Sequence, residues 1–350
     1  MKKPRKIGRA GHIRRGREEG AMADSPREPK HRPIPESLLR RIAAQYGDEE
    51  APGILEGFAA QRAVTLRANA LKADRGAVAR QLDEAGIAWE PSPAPALDDA
   101  FVIRGAREDA VRALPAYDAG ELYLQSLSAM LPAIALDPKP GENILDMAAA
   151  PGGKTCHMAA LSGGGALITA CEKNHVRAER LRYNLAKQGA SRVSVMECDA
   201  RKLDEFFSFD KILLDAPCSG SGTVQASGGS CKTGFSDELL ARSVKAQRAL
   251  LEKALAILKP GGLLAYATCS ILEDENERLV ERVLDGWSGK AAKPRKGKGA
   301  ACKAELEIEP LPDGLLDGVP TLSCRLPGAA VVRPTELFEG FFLVLIRKGR

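Results

Sequence analysis

Two cysteines stand where a thiol could take part in chemistry. Cys218 follows the apolar run in "LLDAPCSG" (213–220), and Cys269 follows the run in "YATCS" (266–270). Each comes at the end of a predicted strand, in a loop where packing does not require a small apolar residue. The thiolate of cysteine is a nucleophile that can form a covalent intermediate. These two thiols are therefore the first candidates for catalysis.

The other cysteines do not follow this pattern. A chain of 350 residues can bury a core without disulfides, and no pair has C-x-x-C spacing. We therefore expect neither a disulfide framework nor a zinc site, and no metal. A small buried side chain is the simpler interpretation for these residues. They are Cys156, Cys171, Cys198, Cys231, Cys302 and Cys324.

Acidic residues stand at the ends of four predicted strands. They are Asp146, Glu172, Asp199 and Asp215. In an open parallel sheet, ligands bind outside the carboxyl ends of the strands. Any one of these acids could be a cap or a turn residue, but four acids at four strand ends favour a binding site.

The loop after the first of these strands, "AAAPGGK" (148–154), indicates the kind of cofactor. It matches neither G-x-G-x-x-G nor G-x-x-x-x-G-K-[ST], so a phosphate-bearing cofactor fits poorly. Glu172 suits a ribose diol and rejects a 2′-phosphate, and Asp199 would meet an adenine amine. Amino acid, ribose and adenine without phosphate are the parts of S-adenosylmethionine. A structural α/β domain with a vestigial loop is the alternative.

The elements that must position these residues alternate regularly from residue 141 onwards. This alternation predicts an α/β fold with a doubly wound, mostly parallel sheet. Two further strands, 304–310 and 340–348, are expected to form an antiparallel end pair, which gives seven strands in all. The predicted parallel strands are 142–148, 166–172, 192–199, 209–217 and 263–269, and the predicted helices are 154–162, 174–189, 236–262 and 274–286.

A smaller module is predicted before this domain. Residues 34–118 have the pattern of an α+β unit, and residues 120–136 are predicted as a helix leading into the catalytic domain, 119–350. Within the module, the predicted helices are 35–47, with Gly47 as a stop, and 74–86, and the predicted strands are 63–69 and 100–105.

Composition and charge indicate the class of protein and of partner. Hydrophobic residues make up 44% and charged residues 28%, as in ordinary globular proteins. No apolar run is long enough for a membrane helix and no secretory signal is visible, so a cytoplasmic location is expected. The net charge of +5 is concentrated in residues 1–33, predicted to be a disordered tail, and a flexible basic loop is predicted at 286–303. Such stretches favour polyphosphate partners, although a solvated tail or loop is equally consistent with them.

Three motifs resemble a known family. "LDMAAAPGGKT" (145–155), "LLDAPCSGSGT" (213–223) and "YATCS" (266–270) followed by "DENE" (274–277) are similar to motifs of the Sun/Fmu-type (RsmB/NOP family) RNA cytosine-C5 methyltransferases. The resemblance runs from about Ile34 to Arg347. It implies the class I (Rossmann-like) methyltransferase fold, S-adenosylmethionine as the cofactor, and RNA as the partner. A monomer is expected. Ribosomal RNA is the first expectation and tRNA the alternative.

The resemblance also implies roles for individual residues. Cys269 would attack C6 of cytosine and Cys218 would assist product release, while Asp215 would contact N3 and Lys154 would orient Asp215. The single-stranded or flipped base must reach this cleft, and the N-terminal module would help to hold the RNA. The residues implied to bind the cofactor are Ala148, Ala149, Ala150, Pro151, Gly152, Gly153, Lys154, Glu172, Asp199 and Asp215.

The sequence departs from the family pattern in two places. Ala148 stands where the family often has cysteine, and residues 223–236 lack the basic, aromatic stretch of the commoner bacterial form. Two other function classes remain open at this point. A non-enzymatic RNA-binding or ribosome-assembly factor could share the fold, and a DNA or small-molecule methyltransferase could share the cofactor site, although the paired cysteines disfavour it.

Overall fold

The computed structural model describes residues 33–227, 230–289 and 304–350. The predicted tail therefore lies outside the described residues, except for its last position. Residues 286–289, predicted as the start of the basic loop, instead belong to a helix. The basic residues predicted to contact RNA, from Lys290 to Lys303, lie outside the described residues, so their role stays a prediction.

The N-terminal module is a four-stranded antiparallel sheet covered by helices, with strand order β2-β3-β1-β4. Its elements are α1 (Glu36–Ala59), β1 (Val64–Ala68), α2 (Arg75–Glu84), β2 (Trp89–Pro91), β3 (Ala100–Ile103), α3 (Glu108–Arg112), α4 (Pro115–Ala119) and β4 (Leu122–Leu124). Helix α1 is broken where predicted, since Gly47 has non-helical angles (φ 61°, ψ −167°), but helix resumes after it and reaches Ala59.

The second domain carries the predicted alternation of strands and helices. Its elements are α5 (Leu127–Leu136), β5 (Asn143–Asp146), α6 (Gly153–Leu161), β6 (Leu167–Cys171), α7 (His175–Gln188), β7 (Val193–Met196), β8 (Phe209–Asp215), β9 (Gln225–Ser227), β10 (Ser230–Lys232), α8 (Asp237–Ile257), β11 (Leu258–Thr268), α9 (Glu277–Gly289), β12 (Leu306–Glu309), β13 (Thr321–Leu322), β14 (Ala330–Val332) and β15 (Phe341–Lys348).

The main sheet has the order β13-β14-β15-β11-β8-β5-β6-β7, and β12 also pairs with β15. Strands β7, β6, β5, β8 and β11 are parallel, and β15 runs antiparallel beside β11. The α/β prediction is confirmed. Within the described ranges the sheet has nine strands rather than seven, because the short strands β13 and β14 extend its edge.

Two predicted helices were partly wrong. Residues 120–136 are not one helix, because Leu122–Leu124 form β4, which pairs with β1, and α5 begins only at Leu127. Helix α8 ends at Ile257 instead of 262, and the following residues enter β11 through an irregularity in its register with β8. In both cases pairing with a distant strand decides the local structure. The helical periodicity of a short segment cannot predict such pairing.

Local sequence explains where the site-bearing helices begin. Asn174 caps α7 by accepting a hydrogen bond from Arg177 N, and Ser236 caps α8 by accepting one from Leu239 N. Leu264 to Thr268 of β11 are fully buried, as expected for a central strand covered on both faces. The sheet order reverses between β5 and β8, so their carboxyl ends open into a crevice between the flanking loops.

In the part of the chain that the structure describes, no helix combines the length and the apolar character needed to cross a membrane.

Candidate active site

The two thiols singled out in the sequence lie next to each other. Cys218, in the loop after β8, and Cys269, directly after β11, have their Sγ atoms 2.9 Å apart. Strands β8 and β11 are parallel neighbours, so their carboxyl ends bring the two loops together. Both cysteines are partly exposed, which leaves both sulfurs within reach of a ligand.

A partly buried ion pair stands beside the thiols. Lys154 Nζ, from the first turn of α6, donates to Asp215 Oδ2 at 2.7 Å. Burial alone would lower the pKa of Lys154, but the charge and hydrogen bond of Asp215, with a further contribution from Cys269, raise it. Lys154 therefore remains a cation and holds the carboxylate of Asp215 in one orientation.

A cavity of about 340 Å³ runs from these groups along the carboxyl ends of the parallel strands. It contains three of the four strand-end acids and both thiols, so the sequence correctly indicated one common crevice. The predicted site residues that line it are Ala148, Ala150, Glu172, Asp199, Asp215, Cys218 and Cys269. Its other lining residues include Met147, Lys173, Arg177, Arg201, Ala246 and Leu250.

The acids at the far end of this cavity are held by cations. Glu172 is buried, accepts a hydrogen bond from Asn174 N at 2.8 Å, and lies 3.3 Å from Arg177 Nη1. Asp199 accepts from Arg201 Nε at 2.9 Å. The hydrogen bond from Arg201 lowers the pKa of Asp199 to about 2. Both acids can therefore present carboxylate oxygens to hydroxyl or amino groups.

A second cavity of about 200 Å³ opens on the other side of the 148–154 loop. It shares Ala148, Ala150 and Asp215 with the first cavity. The predicted residues Ala149, Pro151, Gly153 and Lys154 line it, together with Tyr123, Leu124, Gln125, Ala129 and Asp146. The loop thus separates two spaces. Asp215 lines both of them, and Lys154 lines the second.

Gly152 lines neither cavity, and its contribution is conformational. Its φ of +109° is one that residues with a side chain rarely adopt, and a Cβ atom there would lie 2.9 Å from Leu181 Cδ1 of α7.

Asp146, the fourth strand-end acid, connects two elements of the fold. It is buried and accepts a hydrogen bond from Thr155 Oγ1 at 2.7 Å, which ties β5 to α6.

A buried network fixes the loop that carries Cys218. Glu275 accepts hydrogen bonds from Ser219 N at 2.8 Å and from Ser219 Oγ at 2.5 Å. Gln247 Nε2, from α8, donates to Glu275 Oε1 and to the carbonyl of Pro217. The two residues that flank Cys218 are therefore both anchored.

Helix α1 of the N-terminal module supports the loop that follows Cys269. Gln45 Nε2 donates to Ile271 O at 3.0 Å, and Gln45 Oε1 accepts from Glu273 N at 3.0 Å. Tyr46 Oη donates to the same Ile271 carbonyl. The module therefore contacts the loop that follows Cys269 directly.

Sequence reasoning missed several residues of the two cavities. Arg177 and Arg201 follow the acids they pair with by five and two positions, but no motif marks them as partners. Tyr123 and Gln125 lie within the predicted helix 120–136, but Tyr123 belongs to β4 and Gln125 follows it, and both line the second cavity. Residues 122–125 have the alternating pattern of a β-strand, but four residues are too few to distinguish a strand from a helix.

The parallel sheet with its antiparallel strand β15, and the cavity at its carboxyl edge, define a class I methyltransferase fold. Residues 133–314 match the family model described as 16S rRNA methyltransferase RsmB/F, and residues 34–108 match its RsmF/B-like, ferredoxin-like domain. The chain belongs to this family of RsmB/F methyltransferases.

Individual relatives agree with this assignment. The chain is 35% identical over 253 residues to 25S rRNA (cytosine-C(5))-methyltransferase nop2 of Schizosaccharomyces pombe, which covers 71% of this chain and 41% of the relative. It is 33% identical over 290 residues to ribosomal RNA small subunit methyltransferase F of Shewanella frigidimarina, which covers 81% of this chain and 56% of the relative.

The fold is also found in solved structures. The crystal structure of a methyltransferase homologue from Pyrococcus horikoshii superposes with a TM-score of 0.71 at 29% identity, over 90% of this chain and 100% of the other. The curated relatives are longer. The chain spans between 31% and 46% of the length of four of the curated relatives that it matches.

Proposed function

We propose that this chain is an S-adenosylmethionine-dependent RNA cytosine-C5 methyltransferase that acts on ribosomal RNA. The observation that carries the proposal is the pair of sulfurs 2.9 Å apart, beside Asp215 and at one end of the larger cavity. One thiol is sufficient for a covalent attack. A second thiol at this distance suits a reaction in which one sulfur adds to the substrate and another group must then assist elimination.

The residues around the larger cavity fit S-adenosylmethionine. Glu172 and Asp199 offer carboxylate oxygens for a ribose diol and an adenine amine, and the 148–153 loop approaches without any phosphate-binding arrangement. When bound, this cofactor would supply a methyl group carried on a sulfonium. The thiols lie at the opposite end of the cavity from Glu172 and Asp199, where a methyl acceptor would have to enter.

Cytosine C5 is too weak a nucleophile to accept that methyl group directly. The Cys269 thiolate would add to C6, breaking the C5–C6 π bond and making C5 enamine-like. N3 would take up a proton from solvent as the negative charge develops on the ring, and the Asp215 carboxylate would accept a hydrogen bond from this N3–H and so favour the addition. After C5 is methylated, Cys218 in its thiolate form would take the C5 proton. The C6–sulfur bond then breaks, the double bond returns, and Cys269 leaves as a thiolate.

Ribosomal RNA is the proposed substrate because the relatives described above are named for rRNA. The chain covers only part of those relatives, so the RNA and the cytosine are matters for experiment, with tRNA as the alternative substrate. The proposed steps use thiols, a carboxylate and a lysine and include no metal. The monomeric state and the cytoplasmic location stay predictions from the sequence.

The two cysteines provide the test, because attack and release are different steps. We expect Cys269→Ala to form no covalent bond to RNA and to lose methyl transfer. Cys218→Ala should still attack and methylate but stall, giving an S-adenosylmethionine-dependent, protein-sized RNA adduct on a denaturing gel. The double variant should give no adduct.

The contrary outcomes are also distinct. An adduct with Cys269→Ala but not with Cys218→Ala would reverse the two roles, as in DNA-type cytosine methyltransferases. Absence of both adduct and methylation in the wild type, across ribosomal and transfer RNA, would favour the ribosome-assembly factor instead. Bisulfite sequencing of RNA from cells with and without the gene would identify the modified cytosine.

A further inference from the structure

The sulfurs of Cys218 and Cys269 are close enough to react with each other as well as with a substrate. Both residues are free thiols, and their Sγ atoms are 2.9 Å apart. Even carbon atoms in nonbonded contact are about 3.5–4.0 Å apart, whereas the sulfurs of a disulfide are separated by about 2.05 Å. The two sulfurs therefore have to approach by only about 0.9 Å to form a bond.

The backbone holds the two cysteine loops against each other. Before Cys218, the N–H of Ala216 donates to the carbonyl of Ala267 at 2.8 Å. After Cys218, the N–H of Gly222 donates to the carbonyl of Cys269 itself at 3.0 Å. Because these hydrogen bonds lie on both sides of Cys218, the sulfurs remain adjacent whether or not a substrate is bound.

Both sulfurs can be reached by a small oxidant. Cys218 and Cys269 are partly exposed, and both line the larger cavity of about 340 Å³. Cysteines that respond to oxidants are accessible and stand next to a second thiol that can displace oxygen from the oxidised sulfur. Hydrogen peroxide is small enough to enter a cavity of this size.

A second pair of cysteines in the same cavity lacks this proximity. The Sγ atoms of Cys171 and Cys198 are 3.8 Å apart. Cys171 is fully buried and is paired with Met196 in the ladder between β6 and β7. A bond between these sulfurs would require an approach of about 1.8 Å, by a residue that the sheet holds in place. This pair is therefore an internal comparison within one molecule.

We propose that Cys218 and Cys269 form a site of reversible oxidative modification, at which a hydroperoxide converts the two thiols into an intramolecular disulfide. One sulfur attacks an oxygen of hydrogen peroxide, the O–O bond breaks, and the sulfur becomes a sulfenic acid as one water leaves. The second sulfur then attacks the first, the S–O bond breaks, and a second water leaves. Two thiols and one peroxide thus give one disulfide and two waters, with two electrons passing to the peroxide. The product is the same whichever sulfur is oxidised first.

The disulfide would stop the methylation reaction at two of its steps. A sulfur in a disulfide is no longer a thiolate, so Cys269 could not add to C6 and Cys218 could not remove the C5 proton. This consequence rests on the proposed function, whereas formation of the bond does not. A dithiol would restore both thiols by thiol–disulfide exchange, because the sulfurs are accessible from the cavity.

The test is treatment of the reduced full chain with hydrogen peroxide in the absence of RNA. The remaining thiols are blocked with N-ethylmaleimide, and the protein is digested and analysed without reductant by peptide mass spectrometry. We expect a linked pair of peptides that contains Cys218 and Cys269 and has lost two hydrogen atoms. This link should form before any link between Cys171 and Cys198, and dithiothreitol should remove it.

Two variants serve as controls. Cys198→Ser removes the comparison pair and should form the link between Cys218 and Cys269 at the rate of the wild type. Cys218→Ser leaves Cys269 without its partner, so peroxide should carry Cys269 to a sulfinic acid that dithiothreitol does not reverse.

The wild type alone is sufficient to overturn the proposal. Recovery of Cys218 and Cys269 as thiols or as sulfinic acids, with no linked peptide, would contradict it. The same conclusion would follow if Cys171 and Cys198 were linked first, or if the link joined two molecules.

Methylation of an unmodified ribosomal RNA transcript separates this inference from the proposed function. The rate should fall in proportion to the linked fraction and return after dithiothreitol. A linked peptide in a protein whose reduced form methylates no RNA would reject the proposed function and leave the modification site standing. Undiminished methylation by fully linked protein would overturn the inference that the bond stops the reaction.

Discussion

Asp146 and Asp199 both stand at strand ends, yet their surroundings shift their pKa values in opposite directions. Burial raises the pKa of Asp146 to about 6, although the hydrogen bond from Thr155 opposes the shift. The hydrogen bond from Arg201 lowers the pKa of Asp199 to about 2. Asp199 is therefore a permanent carboxylate for a ligand, whereas Asp146 changes its protonation at mildly acidic pH.

This difference predicts a pH dependence of stability. The folded pKa of Asp146 is about 6, above the ordinary 3.8, so folding favours the protonated form. That contribution is complete below about pH 3.8 and is lost as the pH rises through about 6, an effect of about 3 kcal/mol. Asp146→Asn has no such group to titrate. Its free energy of unfolding relative to that of the wild type should therefore increase by about 3 kcal/mol between about pH 4 and about pH 7.5, measured by urea unfolding.

A second variant checks the cause. Thr155→Val removes the hydroxyl that lowers the pKa of Asp146, and should make the loss of stability continue to higher pH than in the wild type. Parallel curves of unfolding free energy against pH for the wild type and Asp146→Asn would show that Asp146 does not contribute.

Among the helices, α1 shows how one element can serve two domains. Its first half reaches the loop after Cys269 through Gln45 and Tyr46. Its second half packs so closely on the C-terminal part of the chain that a Cβ atom on Gly57 would lie 1.9 Å from the Pro334 carbonyl oxygen. A backbone atom cannot move away as a flexible side chain can, so glycine is required there by packing.

Two helical glycines should therefore respond oppositely to alanine. Gly57→Ala should destabilise the protein by about 1–3 kcal/mol through overpacking. Gly286→Ala, in α9, meets nothing within 4 Å, and should stabilise by about 0.5–1 kcal/mol because alanine loses less backbone entropy in a helix. Chemical denaturation of the two variants measures both effects. A neutral Gly57→Ala would mean that α1 and the Pro334 segment can separate.

Elements that are encoded in their own residue pattern could be predicted from the sequence. Elements that form only by pairing with a strand far away in the sequence could not. The five parallel strands and the loop acids were correctly placed because each strand is an apolar run that ends in a polar turn. Leu122–Leu124 became a strand only by pairing with β1. The thiols were predicted to border one cleft, but their 2.9 Å separation and the anchoring of Cys218 by Glu275 depend on how three loops pack together.

Over the whole molecule, the N-terminal module is joined to the 148–154 loop through a buried cation. Arg67 of β1 is fully buried and lies over the ring of Tyr123. Its guanidinium donates to Gln125 Oε1 at 3.0 Å and to the carbonyl of Gly153 at 3.2 Å. Gly153 begins α6, directly after the turn that separates the two cavities. The module therefore restrains the 148–154 loop.

This contact predicts that a residue outside the larger cavity affects cofactor binding. Arg67→Leu would leave the Gln125 amide oxygen and the Gly153 carbonyl without their donor, which should cost at least about 2 kcal/mol of unfolding free energy. With the start of α6 less restrained, S-adenosylmethionine should bind several-fold more weakly in calorimetry. Arg104→Leu, on the same module, removes an exposed pairing with Glu90 and should change neither quantity, because exposed ion pairs contribute little. If Arg67→Leu loses stability but binds the cofactor as the wild type does, the module supports the fold and not the cofactor loop.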